Sequence, residues 1–499
     1  MRATLIAMTL ALFPGVALAA LPACDDPTWP TTEDQACQRT RTDVVAPASD
    51  DKLIFASFPI STAGLGQLFA GKLNAPNITA TQITNPTGAP FDKPYVHFEV
   101  SDDRNFIVAT RLQYGNTNDE TGIDADDFHQ LVVIDLRPGQ NKEYVMAVDG
   151  GEEMDGGWGG VAFGPMVEDS TYFYYPVYFS APTDECGVCK DIFRQSIRVK
   201  KNTPNKDEVS FTSVTNVTTP TSGTTLNEWL GLGSSDPGHI VTDVDVSPVG
   251  NWGLATFISE VDAYRDWKDT SGTEKHTRIV MFSTNLNQRG ATFITTGGKH
   301  YPARRCDNTS PASCGAIWEV PYAIYPWVKY DGRNPPWGWG DFDPDFDNDA
   351  TELVFQRMSN KDLIFNAPRG DVMRVTLPSP SWNGGTSSWN WGGYTPDTGR
   401  VDVSGGLATA IDAPDSSGNG NNHGIPNWSN GGGDCAVHSV WSDSESYDGN
   451  PSHKAWAHPR IVDPATGDET DLYAYVGGTY KAMSHVQWIP GGSVTPTCD

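Results

Sequence analysis

A short unit recurs along this chain: an apolar strand runs into a polar turn and is followed at once by a second apolar strand. Four segments carry it: YVHFEVSDDRNFIVATR (95–111), GVAFGPMVEDSTYFYYPVYF (160–179), IVTDVDVSPVGNWGLATFI (240–258) and GDFDPDFDNDATELVFQRM (340–358). Asp, Gly, Pro or Asn marks each turn, as a tight reversal requires. Third and fourth strands follow three of the hairpins: His129 to Leu136 and Tyr144 to Val148, then Ile192 to Val199 and Val209 to Thr215, then Arg278 to Ser283 and Ala291 to Thr295. A repeated four-stranded meander cannot bury both faces alone, so successive copies must pack on each other.

Radial packing of such units is a β-propeller, and the class expected is all-β. Composition agrees, since 50 Gly, 36 Pro, 16 Trp, 17 Tyr and 20 Phe favour turns and strands, and no long segment has a 3.6-residue apolar period. Near the start, KLIFASF, GQLFAGKL and ATQITN supply three strands without a first one. SHVQWIP, Ser484 to Pro490, is the expected missing strand, so the two ends of the chain would close the ring within one blade and remove the exposed edges. Six blades are marked, one only weakly around Gly405 to Gly478, and spacing leaves room for another near Trp318 to Tyr330. Seven blades are expected, with six or eight open.

Residues 1–20 read as a signal peptide, with basic Arg2, an apolar run from Leu5 to Leu18 and small residues at Ala17, Ala19 and Ala20. Residues 21–499 are then one secreted or periplasmic propeller domain, with a long Gly/Ser/Asn-rich loop near 416–433. No other stretch is long and apolar enough for a membrane anchor. Eight cysteines in an exported chain suggest disulfides. Proximity suggests Cys306 with Cys314 and Cys186 with Cys189, leaving the pairing of Cys24, Cys37, Cys435 and Cys498 open. A formal charge of −28 argues against nucleic acid as a partner, and the oligomeric state is left open.

The loops before the first strand and between the second and third strands of a blade emerge on one face. His97, His129, Tyr178 and Arg194 are expected to approach that mouth, joined by His239, Tyr264 and Arg265. Acid/base groups beside cations suit proton abstraction next to a carboxylate. The bland alternative is that the histidines are hydrogen-bonded structural residues and that the rings of YFYYPVYF fill space between blades.

The repeats resemble the TolB-like or PD40-like propeller pattern, closest in VDVSPVGNWGLATF. At the candidate residues the chain resembles the propeller-type ulvan lyases. That resemblance implies a polysaccharide lyase acting on an anionic, uronate-containing glycan, with His97, His129 and Tyr178 as catalytic acid/base groups and Arg194 neutralising the uronate. His239, Tyr264 and Arg265 are the expected substrate-binding residues. The other expectation is a non-catalytic propeller that binds a glycan or protein through the same mouth, and a hydrolase would need paired carboxylates.

The cofactor and any metal requirement are left open. Asp341, Asp343, Asp345, Asp347 and Glu352 have the spacing of a calcium loop, but Phe346 replaces the required glycine. The segment aligns with the turns of the other units, so a structural turn is expected and structural calcium is the metal left in consideration. The tryptophans of PPWGWGDF and SWNWGG are read as blade packing ahead of sugar stacking. No GxSxG, HExxH or Walker A motif occurs. Asn77, Asn216, Asn308 and Asn427 lie in glycosylation sequons.

Overall fold

A computed structural model describes residues 21–24, 36–58, 67–74, 77–85, 95–113, 128–146, 154–155, 160–182, 190–202, 206–218, 226–230, 239–259, 275–295, 298–300, 339–359, 370–394, 396, 408–412, 421–428, 435–442, 458–463, 468–476 and 479–489. They form a β-propeller of six blades. The innermost strands, in blade order, are Tyr95–Val100, Val161–Phe163, His239–Val246, Trp339–Phe346, Asn421–Trp428 and Thr479–Trp488, and each touches the next around a closed ring. The expected extra blade near 318–330 lies outside the described residues, as does the signal peptide.

Each recurring unit forms its hairpin because both faces of a blade are covered by neighbouring blades, so its strands can be apolar without interruption. Phe106, Ile107, Val108 and Ala109 are all fully buried. Phe106 and Val108 face blade 2, while Ile107 and Ala109 face blade 6. The same division into six apolar clusters, one per seam, holds around the ring. Burying one such Phe or Ile contributes roughly 1.5–3 kcal/mol relative to exposure, so the seams hold the propeller together.

The ring closes as the sequence predicts. Leu53–Phe58 pairs antiparallel with Thr479–Trp488, with Leu53 opposite Trp488 and Phe55 opposite Val486. Gln67–Asn74 and Asn77–Gln82 complete blade 6. A further strand, Cys37–Thr40, caps the outer edge of blade 1 by pairing with Lys142–Val145. The Cys24–Cys37 disulfide ties down its start, and Cys435 is disulfide-bonded to a partner outside the described residues. Behind this strap Arg41 bonds Glu143 at 2.7 Å and also Tyr95, and Arg111 reaches Glu143 and Gln130 at 2.6 Å each. Burial pushes the Glu143 carboxyl up, but Arg111, Arg41 and Arg39 outweigh it and hold the group below its ordinary value.

One local expectation needs correction. The segment 416–433 is not simply a loop, because Asn421–Trp428 within it is the inner strand of blade 5. Its Gly, Asn and Pro residues conceal a strand whose order comes from pairing with Ala436–Ser442 rather than from apolar periodicity. The aspartates from 341 to 347 are divided among separate tasks. Asp341 forms a buried bidentate pair with Arg357 at 2.6 and 3.0 Å, and Asp347 holds the turn by accepting from Thr351 N at 2.8 Å. Among the described residues, no group of three or more His, Cys, Asp or Glu side chains is arranged to hold a metal ion.

The tryptophans of SWNWGG serve packing. The hairpin of Ser381–Asn383 and Ser388–Asn390, an excursion from blade 4, lays Trp389 against Trp252 of blade 3 at 4.5 Å, and Trp389 Nε1 donates to Gln288 O at 2.7 Å. The tryptophans of PPWGWGDF lie outside the residues whose side chains are described.

Candidate functional site

Five of the six inner strands depart from regular pairing near the axis. The register slips between Tyr95 and Phe98, Thr242 and Asp245, Phe342 and Asp345, and Gly424 and Asn427, and around His485 opposite Phe55 and Ala56. A bulge bends a strand and re-aims its side chains. At three equivalent bulge positions a non-glycine residue takes positive φ, with Asp243 at 50°, Asp343 at 48° and His485 at 47°. Such a conformation costs of order 1–3 kcal/mol and concentrates at functional sites.

The bulges open an axial cavity of about 370 Å³. Two tiers of side chains line it. The tier at the bulges carries His97 and His485 on adjacent blades 1 and 6, and Asp243 and Asp343 on the opposite blades 3 and 4, with Gly160 of blade 2 between. A Cβ on Gly160 would stand 2.4 Å from Asp243 Cα, so only glycine lets the two inner strands meet there. The His97 and His485 rings meet edge to face, with centroids 4.7 Å apart.

The second tier lies two residues further along each strand and comprises Glu99, Asp245, Asp345, Asn427 and Gln487. Four of these side chains reach to the next blade. Phe163 N donates to Glu99 Oε2 at 2.7 Å, Phe346 N to Asp245 Oδ2 at 2.8 Å, Trp428 N to Asp345 Oδ2 at 3.2 Å, and Trp488 N to Asn427 Oδ1 at 2.8 Å. Blade 2 has Ala162 at this position and cannot extend the series. Asn427 Nδ2 also donates to Asp345 Oδ2 at 2.5 Å, so this sequon asparagine is committed inside the propeller.

Burial sets the charge states. It pushes Glu99 well above the ordinary carboxylate value, helped by Asp245. It raises Asp345 likewise, helped by Asp245 and Glu99. Burial lifts Asp245 to about 7 and Asp243 to about 6, against hydrogen bonds from the backbone and from Thr256 and Thr242 respectively. His97 is pushed down to about 3 by burial and by the Lys190 charge, and His485 falls well below its usual value through burial and His97. At neutral pH the cavity therefore presents neutral imidazoles opposite carboxyl groups poised between their two states. Titratable groups held near neutrality by burial are what acid–base chemistry requires.

Three buried polar atoms of this lining have no hydrogen-bond partner among the described residues: His97 Nε2, His485 Nε2 and Asp243 Oδ2. Their residues are 8%, 5% and 6% exposed. An unsatisfied buried polar atom costs about 1–3 kcal/mol, so three lining one cavity call for water or a ligand to supply the missing bonds.

Of the candidate catalytic and substrate-binding residues, His97 lies in this cavity. Tyr178 and Arg194 are brought together, directly opposite each other on adjacent strands. Tyr178 does not reach the mouth, however. It is 4% exposed and packed in the seam between blades 2 and 3, behind Gly164, because alternate residues of YFYYPVYF fill the two seams of blade 2. Arg194 is half-buried beside it. His129 sits on Phe128–Asp135 opposite Leu112, and His239 opens its inner strand opposite Ser259; their side chains lie outside the described residues, as do Tyr264 and Arg265 altogether.

No family model and no curated protein matches the chain. Solved structures similar to it include a prolyl endopeptidase, at 12% identity and a TM-score of 0.36, covering 86% of this chain and 49% of that one. The periplasmic gluconolactonase PpgL of Pseudomonas aeruginosa is similar at 9% identity and a TM-score of 0.33, covering 88% and 99%. The Myceliophteria thermophila Cps50 (Swd1) β-propeller domain is similar at 9% identity and a TM-score of 0.32, covering 90% and 93%. The chain spans about half the length of the prolyl endopeptidase. The fold assignment rests on the strand pairing described above.

Sequence reasoning missed Glu99, Asp243, Asp245 and His485, and named Asp345 and Asn427 only for other roles, in a calcium-like spacing and a glycosylation sequon. A signal was present for three of them: an acid, then an apolar residue, then Ser or Asp, directly ahead of the turn in Glu99-Val100-Ser101, Asp245-Val246-Ser247 and Asp345-Phe346-Asp347.

Proposed function

We propose that this chain is an exported enzyme that hydrolyses a glycosidic bond in the axial cavity, with Asp245 as the proton donor and Asp243 as the ionised partner. The observation that carries this reading is the set of unpartnered buried atoms, His97 Nε2, His485 Nε2 and Asp243 Oδ2, lining one cavity. A hydroxyl-rich ligand both donates and accepts, and so satisfies two neutral imidazoles and a carboxylate together. Hydrolysis needs one carboxyl protonated and another ionised. Asp245 near 7 and Asp243 near 6 divide those states around neutral pH. The cavity size lies within the range of small-molecule sites. The Cys24–Cys37 disulfide suits an oxidising compartment.

The test is release of reducing ends from a panel of soluble oligosaccharides. Asp243→Asn should abolish turnover while leaving the circular dichroism spectrum unchanged. Binding with no turnover on any glycan would replace hydrolysis with a purely binding propeller.

A second reading is β-elimination on an ulvan-like uronate glycan, since the strand register sets Tyr178 opposite Arg194; it requires Tyr178 to turn out of the seam between blades 2 and 3. Growth of the unsaturated-uronate absorbance on incubation with ulvan, lost in Tyr178→Phe, would select it over hydrolysis.

A further inference from the structure

The axial cavity is lopsided in charge. Glu99, Asp102, Asp243, Asp245, Asp343 and Asp345 contribute to its lining; among the described residues no Lys or Arg lines it, and the one cation acting on the bulge tier, Lys190, is buried and acts on His97 and Asp243 rather than on Glu99, Asp245 or Asp345. Buried carboxylates are ordinarily offset by guanidinium or ammonium groups, and this protein does so elsewhere: Glu143 meets Arg41 and Arg111, and Asp341 meets Arg357. Among the described residues, the second-tier carboxyl groups bond instead to backbone N–H groups of the next blade, to the Asn427 amide and, between Asp245 and Asp345, to each other.

An acidic lining could be no more than the structural seam it also serves. The tier at the bulges indicates an occupant. Asp243 is 6% exposed and lines the cavity with Oδ2 unpartnered, while His97 and His485, 8% and 5% exposed, offer neutral Nε2 atoms on the other side. A bare metal ion does not meet this demand, since no three carboxylate or imidazole groups are arranged around a point among the described residues, and an ion fills little of about 370 Å³. The space and the lining call for a small organic molecule with a positive end and a hydroxyl-bearing end.

We infer that the axial cavity recognises an ammonium-bearing sugar, its amine seated between Glu99 and Asp345, with Asp245 left to its proton-donor role, and its hydroxyl groups bonded by His97, His485 and Asp243. The inference rests on the reading of this cavity as the working site and adds the class of its ligand. The ammonium group supplies the counter-charge that the protein withholds from the second tier. Its N–H donors suit the Glu99 and Asp345 carboxyl groups, each of which ties only one oxygen to the neighbouring blade. A uronate would bring a seventh carboxylate into the same space.

Isothermal titration calorimetry of the intact protein with glucosamine, N-acetylglucosamine, glucose, glucuronate and calcium chloride alone tests this. Glucosamine should bind about tenfold or more tighter than glucose and N-acetylglucosamine, the effect of ~1.4 kcal/mol. Glu99→Gln, which keeps an acceptor for Phe163 N, should remove most of that preference, and His485→Gln should weaken all the sugars alike. Equal binding of glucosamine and glucose would overturn the ammonium assignment while leaving the cavity a sugar site. Tightest binding of glucuronate, or calcium binding that excludes the sugars, would overturn it in favour of an anion or a metal. Absence of binding by any probe would remove both the assignment and the cavity reading.

Discussion

Asp345 of blade 4 accepts the backbone N–H of Trp428 of blade 5 at 3.2 Å, so a side chain facing the axis also fastens one blade to the next. Equivalent bonds run from Glu99 to Phe163, from Asp245 to Phe346 and from Asn427 to Trp488. Cavity and scaffold thus share the same residues.

Replacing Asp345 by Leu should therefore destabilise the fold as well as alter the site. Trp428 N and Asn427 Nδ2 would both lose their acceptor, at about 1–3 kcal/mol for each buried donor left unsatisfied. Urea unfolding should show a lower midpoint with an unchanged slope. Asp345→Asn, which retains one acceptor oxygen, should lose less.

Gly160→Ala tests the close approach of blades 2 and 3. The added methyl meets Asp243 backbone atoms at 2.4 to 2.8 Å, which cannot rotate away. Overpacking of this kind costs about 1–3 kcal/mol, and the shift falls on Asp243 itself. Lower thermal stability together with loss of the Asp243-dependent activity is expected.

Acid titration should reveal the Asp245 carboxyl. Its value rises to about 7 on folding, so the folded protein holds the proton more firmly than the unfolded chain. The associated stability is full below about pH 4 and lost as pH rises through 7. His97 and His485 work in the opposite sense, because they resist protonation when folded and lose stability as pH falls below the ordinary histidine range. The clean measurement is the melting-temperature difference between the protein and Asp245→Asn. The wild type should lose ground to the variant across pH 4 to 7.

Removing the Cys24–Cys37 bond should act locally. A disulfide closing a loop of 13 residues is worth up to about 3 kcal/mol, and here it anchors a strand on the outer edge of blade 1. With both cysteines changed to Ser, hydrogen exchange should accelerate along Cys37–Thr40 and Lys142–Val145. The amides of Phe163, Phe346, Trp428 and Trp488 at the axis should keep their protection.

The propeller and its closure were legible because a blade hairpin is a local pattern. Phe106 to Ala109 on one side of a turn and Val96 to Val100 on the other announce themselves within 17 residues. Blade 5 was not, since NNHGIPNW has the composition of a loop and becomes a strand only through its partner. The site was harder still. His97 was identified, but His485 lies on the closing strand far away in sequence, and a lone acid ahead of a turn looks like turn chemistry. Glu99, Asp245 and Asp345 become neighbours only when the ring is complete.

Closure within blade 6 also fixes an order of events during synthesis. Leu53–Phe58 emerges early, yet its partner strand ends at Trp488. Until that late segment exists, one long edge of blade 6 has open backbone groups, and His485 and Gln487 are missing from the cavity wall. The nascent chain must therefore wait, protected from β-sheet association with other chains, until the segment through Trp488 has been made.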